Sequence, residues 1–200
     1  PHLVTNAWRQ ASAFDQLLAS HGFLVFWLDN RGSAGRGVAF ESAIHGQLGR
    51  IELEDQLAGI AHLRTLPFVD ATRIGITGWS YGGYLALYAA THAPQVFRAA
   101  VAGAPVTDWR FYDSIYSERY LGTPASNPAG YEASSPITKA AALTADLLLL
   151  HGTADDNVHL ANSVAMAAAL VRTGKPYSLV LLPSQGHGLS GKADPLAYVF

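Results

Sequence analysis

The sequence has no cysteine, which excludes a disulfide framework and a thiolate metal site and leaves the redox compartment open. Charge is sparse: only 14% of the residues are Asp, Glu, Lys or Arg, and the formal net charge is -2. A chain without a basic excess lacks the electrostatic footprint of a nucleic-acid binder. No apolar run is long enough to span a bilayer, so no membrane segment is expected in this chain. The stretch DNRGSAGRG, residues 29–37, matches neither a Walker pattern nor G-x-G-x-x-G; it reads as a structural turn in which Asp29 and Arg31 pair locally. HGTADDNVH, residues 151–159, mixes His and Asp without a zinc spacing, so neither metal nor cofactor is expected.

What is present points to one globular domain. Half of the 200 residues are hydrophobic, enough for a sizeable core. The ends read as cut, because Pro1 is not an initiator and DPLAYVF, residues 194–200, stops inside a starting helix. The expected unit is therefore a fragment lacking both domain ends.

Element types alternate along the chain. Helical spacing of Trp8, Phe14, Leu17 and Leu18 predicts a helix over 7–22 with Gly22 as its stop. FLVFWLD, residues 23–29, is a continuous apolar run that predicts a strand buried on both faces. A helix over 52–67 ends at Pro67, a strand follows over 73–79, and then a helix over 81–93. Further strands are expected over 98–105, 146–152 and 177–183, with a helix over 159–174. Residues 104–135, rich in aromatics, Pro and Gly, read as irregular. The pattern predicts an α/β fold: a mostly parallel sheet with helices on both faces and sites at the carboxyl ends of strands.

Three groups follow three of those strands. Ser80 lies in Gly78-Trp79-Ser80-Tyr81-Gly82, a G-x-S-x-G pattern between strand and helix, which is the context a nucleophile elbow requires. The turn is crowded, so flanking glycines let the backbones pass, and the helix behind it offers N–H groups to a developing oxyanion. A glycine-rich turn with an incidental serine is the bland alternative. A serine needs a base, and this fold orders its groups Ser, acid, His. Asp155 and Asp156 follow the strand over 146–152, and periodicity does not choose between them. His187, between Gly186 and Gly188 after the last strand, is the expected base. The other histidines have structural readings: His21, His62 and His92 at the surface, His151 packed or hydrogen-bonded at a strand end. Trp109, Tyr112 and Tyr116, at i, i+3 and i+7, share one face on a helical turn, and a small flat aromatic box suits a proline ring or alanine.

GWSYGG, HGTADDNVH and GHG resemble the catalytic domain of the prolyl oligopeptidase family of serine peptidases, and DNRGSAGRG, LGRIELEDQ and APVTDWRFYDSIYSERYLG resemble its dipeptidyl peptidase IV branch. The resemblance runs over essentially the whole chain. It implies an α/β-hydrolase fold with Ser80 as nucleophile, Asp155 as acid and His187 as base. It implies that Tyr81 gives its backbone N–H to the oxyanion hole, the second donor being a tyrosine hydroxyl from a segment before Pro1. It implies a pocket of Tyr81, Val106, Trp109, Tyr112, Tyr116 and Val158 for the residue before the scissile bond, with Asn157 binding the substrate carbonyl one position further back. The implied substrate is a peptide cut after Pro or Ala, releasing an N-terminal dipeptide without a cofactor. The implied partners are an upstream β-propeller carrying paired glutamates that read the free amino terminus, and a second copy in a homodimer. A periplasmic or secreted location is favoured by resemblance alone. The rivals are an acylaminoacyl peptidase or esterase on the same three residues, and a non-catalytic binding module.

Overall fold

In the computed structural model, the structure describes Val4 and residues 13–188. Pro1, the start of the first helix and the segment 194–200 lie outside the described residues.

The chain order is α1 (Ala13–Ser20), α2 (Val38–Glu41), α3 (Arg50–Leu63), β1 (Gly75–Trp79), α4 (Tyr81–His92), β2 (Ala99–Gly103), α5 (Ser114–Leu121), α6 (Pro128–Ser134), β3 (Asp146–Gly152), α7 (Ala161–Arg172) and β4 (Ser178–Leu182). Short 3-10 turns lie at Ser42–Ile44, Trp109–Phe111 and Pro136–Ala142. The four strands pair in sequence order, all parallel. Parallel neighbours need long crossovers, which α4, the 104–145 region and α7 supply.

Alternation decides which residues face the helices. Ile76, Ala100 and Leu147 are register partners, as are Gly78, Ala102, Leu149 and, on β4, Leu179. Six of these seven residues (Ile76, Ala100, Ala102, Leu147, Leu149 and Leu179) pack against Leu87 and Ala90 of α4 and Met166, Ala169 and Leu170 of α7. The described helices α4 and α7 therefore share one face. The other face carries Thr77, exposed, with Val101 and Leu148 half-buried, and the helix expected from residue 194 lies outside the described residues. A second cluster joins Leu53 and Ile60 of α3, Tyr84 and Tyr88 of α4, and Val106, Trp109, Leu121, Tyr131 and Val158.

Three expectations need correction. Residues 23–29 form no strand, and Phe23, Leu24, Phe26 and Trp27 are exposed. A run of apolar residues becomes a strand only through a ladder, and β1 is hydrogen-bonded on the β2 side alone among the described strands. What holds the segment is side-chain contact, with Gln56 donating to the Leu28 carbonyl and Leu28 packed over Gly59. Asp29 and Arg31 do not pair with each other. Arg31 grips Asp55 on α3 in two-pronged fashion, and Asp29 pairs with Arg36 at 3.0 Å. Residues 104–135 hold two helices, each capped by a local side chain: Asp113 accepts from the Tyr116 amide, and Asn127 from that of Gly130.

Candidate active site

Ser80 is one of three non-glycine residues with a positive φ among the described residues. Its φ of 59° and ψ of -117° lie where a non-glycine residue is strained, between the last residue of β1 and the first of α4. Two hydrogen bonds hold it there: its N–H to the Gly103 carbonyl at 2.8 Å, and the Tyr84 N–H to its carbonyl at 2.9 Å. The glycines are required by contact. A Cβ on Gly78 would lie 2.4 Å from the Gly82 carbonyl oxygen, and one on Gly83 would lie 2.2 Å from that of Gly103. Helix α4 can thus sit directly on the sheet, with the Ser80 side chain above the carboxyl ends of the strands.

His187 meets Ser80 from the loop after β4. Its Nε2 is 2.8 Å from Ser80 Oγ, and its Nδ1 is 2.8 Å from Asp155 Oδ2. An ionised carboxylate only accepts, so Nδ1 carries the proton and Nε2 is left to accept from the serine hydroxyl. Of the two adjacent acids, Asp155 is buried and Asp156 exposed. The other Asp155 oxygen accepts N–H bonds from Asn157 at 3.0 Å and Val158 at 2.9 Å, which orient the carboxylate. The histidine loop is pinned at three points: Trp79 Nε1 donates to the His187 carbonyl, Ala154 N–H to that of Gln185, and Ser184 N–H to Thr153 Oγ1. Gly152 permits the close approach, since a Cβ there would lie 2.2 Å from the Gln185 carbonyl oxygen.

Beneath Asp155 lies His151, fully buried. Its Nε2–H donates to the Val158 carbonyl at 2.7 Å, so its Nδ1 accepts from the Ser163 hydroxyl at 2.8 Å. Burial lowers its pKa and keeps it neutral, although Asp155 Oδ2 is 3.5 Å away. It is hydrogen-bonded at a strand end as expected. His62, His45 and His159 are exposed, while His92 is half-buried and stacks on the Tyr88 ring at 3.7 Å.

All six expected pocket residues fall in one cluster, with Val106, Trp109 and Val158 buried and Tyr81, Tyr112 and Tyr116 packed against them. Trp109 and Tyr116 stack at 5.7 Å, Tyr112 meets both edge-on, and the Tyr81 ring is 5.8 Å from Trp109. The route to this grouping differs from the expected single helical face. Trp109 lies in a 3-10 turn, Tyr112 is extended, and a new helix starts at Ser114 behind the Asp113 cap. The Tyr112 hydroxyl donates to Asn157 Oδ1 at 2.7 Å, tying the aromatic box to the Asp155 loop. An open cleft of about 590 Å³ adjoins them, bounded by Arg110, Tyr112, Asp156, Asn157 and His159. Tyr81 is the first residue of α4, so its N–H has no partner four residues back in the helix and can face a ligand.

Glu52 went unnoticed in the sequence. It is buried on α3, with Oε1 accepting from the Tyr81 hydroxyl at 2.5 Å. Burial raises its pKa, against the opposing pull of that hydrogen bond. Among the described residues, no group of three His, Cys, Asp or Glu side chains could hold a metal ion, and no helix is long and apolar enough to cross a membrane.

A parallel sheet with a strained serine on the turn into the following helix, and acid and histidine beyond later strands, defines an α/β-hydrolase fold. Residues 9–198 match the model of the prolyl oligopeptidase family of peptidases, and the chain belongs to that family. It is 45% identical over 192 residues to the dipeptidyl peptidase 8 of Mus musculus, covering 94% of this chain and 22% of that protein. Against the Homo sapiens dipeptidyl peptidase 8 it is also 45% identical over 192 residues, and covers 21% of that protein. The crystal structure of Porphyromonas gingivalis dipeptidyl peptidase 4 superposes with a TM-score of 0.82 at 42% identity, over 86% of this chain and 24% of that one. The chain thus spans about a fifth of the length of the curated relatives it matches.

Proposed function

We propose that this chain is the catalytic part of a serine peptidase that releases N-terminal dipeptides by cleaving after proline or alanine. The carrying observation is Ser80, strained on the β1–α4 turn, with His187 Nε2 at 2.8 Å and Asp155 behind it at 2.8 Å. Ser80 Oγ attacks the scissile carbonyl while its proton passes to His187 Nε2. The imidazolium, steadied by Asp155, returns that proton to the leaving amine, and an ester to Ser80 remains. Water then repeats the sequence, giving the dipeptide acid and free serine. The Tyr81 N–H is aimed to receive the oxyanion, with a second donor from outside this chain. The box of Tyr81, Val106, Trp109, Tyr112, Tyr116 and Val158 takes the ring of proline or the methyl of alanine, and Asn157 takes the preceding carbonyl. No resident cofactor enters these steps.

Support for the dipeptidyl register comes from the three named relatives, each named a dipeptidyl peptidase. The reader of the free amino terminus is assigned to a β-propeller elsewhere in the parent protein, and a homodimer is its proposed assembly. The test is hydrolysis of Gly-Pro-p-nitroanilide against its N-acetylated form by the full-length parent protein. A strong preference for the free amine is expected. Equal rates, or a preference for the blocked peptide, would assign the protein to acylaminoacyl or internal peptidases.

A further inference from the structure

The inner wall of the aromatic pocket has a polar side. Glu52 Oε2, the Tyr84 hydroxyl and Trp109 Nε1 are buried without a hydrogen-bond partner among the described residues. The three residues belong to one packed group: the Tyr84 ring is 4.9 Å from Trp109 and 5.2 Å from Tyr81, and the Tyr81 hydroxyl is bonded to Glu52.

Helix capping accounts for only part of this glutamate. Gly49 is the N-cap of α3, and Glu52 stands three residues on, where a carboxylate can turn back to the cap amide. That duty is ordinarily done by an exposed glutamate. Here the side chain is 1% exposed, and a buried carboxyl costs free energy unless its contacts return it. Its placement is also enforced. Gly49 has a φ of 88°, and a Cβ there would lie 2.5 Å from the Tyr84 hydroxyl and 2.8 Å from the Tyr88 ring. The start of α3 is thereby pressed against α4, and Glu52 faces the tip of Tyr81. The helix is also anchored by the Arg31–Asp55 pair, three residues beyond Glu52. The Tyr81 ring, packed against Tyr84, Trp109 and Tyr116, thus has its tip bonded to a helix that carries none of the proposed triad residues.

We propose that Glu52 is a positioning residue: by accepting the Tyr81 hydroxyl it holds the Tyr81 ring as a wall of the pocket beside Ser80, and so sets discrimination at the residue before the scissile bond. This rests on the proposed function for the use of that pocket. Because the Tyr81 backbone is held independently by α4, loss of Glu52 should affect selectivity more than the reactivity of Ser80.

The test uses full-length parent protein and two kinds of probe that label Ser80. Peptidyl phosphonates with proline, alanine or glycine before the phosphorus read selectivity, and a small alkyl fluorophosphonate reads reactivity alone. Glu52→Ala and Tyr81→Phe are each expected to lower the preferred-residue-to-glycine ratio about tenfold, the scale of one lost charged hydrogen bond, and more than they lower fluorophosphonate labelling. Their double variant should be no worse than either, since both remove one contact. Glu52→Gln, which can still accept from Tyr81, should keep the ratio within about threefold of wild type. The proposal is overturned if Tyr81→Phe leaves the ratio unchanged, if the effects add in the double variant, if Glu52→Gln falls as far as alanine, or if selectivity and reactivity fall in parallel. Should Glu52→Ala not fold, Glu52→Gln and Tyr81→Phe decide it alone. A wild type that labels at Ser80 with a preference other than proline or alanine counts against the proposed specificity, and the variants still decide the role of Glu52. No labelling of Ser80 overturns both.

Discussion

His187 Nε2 lies 2.8 Å from Ser80 Oγ although 107 residues separate them in the chain. The contact depends on the backbone strain at Ser80, on the glycine that lets the histidine loop close over β3, and on the Trp79 indole that holds the His187 carbonyl. Each support can be removed separately.

Ser80→Ala keeps the turn and removes the attacking oxygen. Turnover of Gly-Pro-p-nitroanilide by the parent protein should fall at least about a thousandfold, to the level that binding alone sustains. Steady-state kinetics check it, and residual activity above about a thousandth of wild type would remove Ser80 as nucleophile.

Asp155→Asn exchanges the acceptor at His187 Nδ1 for a group that can donate, favouring the tautomer with its proton on Nε2. A drop in kcat of about 10³–10⁴ is expected, with KM little changed. Asp156→Asn, on the exposed neighbour, should stay within about threefold of wild type. Equal losses in both would contradict the geometry.

Gly83→Ala drives a methyl group into the Gly103 carbonyl. Chemical denaturation should show a loss of about 2 kcal/mol or more, the scale of overpacking against backbone that cannot yield. An unchanged midpoint would mean that α4 can lift from the sheet.

His151 is held neutral, its pKa lowered from 6.5 chiefly by burial, with His187 pressing the same way and the Val158 carbonyl and Asp155 opposing. A histidine with a lowered folded pKa contributes stability that is present above pH 6.5 and lost as the pH falls from there through the folded value, because the unfolded chain takes up the proton first. The stability advantage of wild type over His151→Asn should therefore shrink between pH 7.5 and 5.5 in denaturant titrations. A constant difference would show that His151 titrates alike in both states.

Much of the site was legible because its signals are local. G-x-S-x-G after a β-branched run needs only its own neighbours to be read, and the strand at Asp146–Gly152 was bounded correctly by its leucines. What failed depended on distant partners. The apolar run at 23–29 announces a need for burial without saying whether a neighbour completes its ladder. Arg31 has an acid two residues away, yet finds a better-placed one on α3. The aromatics at 109, 112 and 116 group as expected, but across a capped break in the chain, where Asp113 outweighs helical spacing. Glu52 reads in sequence as one more acid in a helical first turn; only the packing of Tyr81 and Gly49 around it reveals a buried carboxyl. Asp155 and Asp156 differ only in which way the loop turns them.

The most direct measurement is fluorophosphonate labelling of the parent protein, read by peptide mass mapping and by rate. One adduct, on Ser80, formed about a hundredfold or more slowly in His187→Ala, is the result these contacts predict. An adduct on another residue, or an unchanged rate without the histidine, would contradict the assignment of Ser80 and His187 as nucleophile and base.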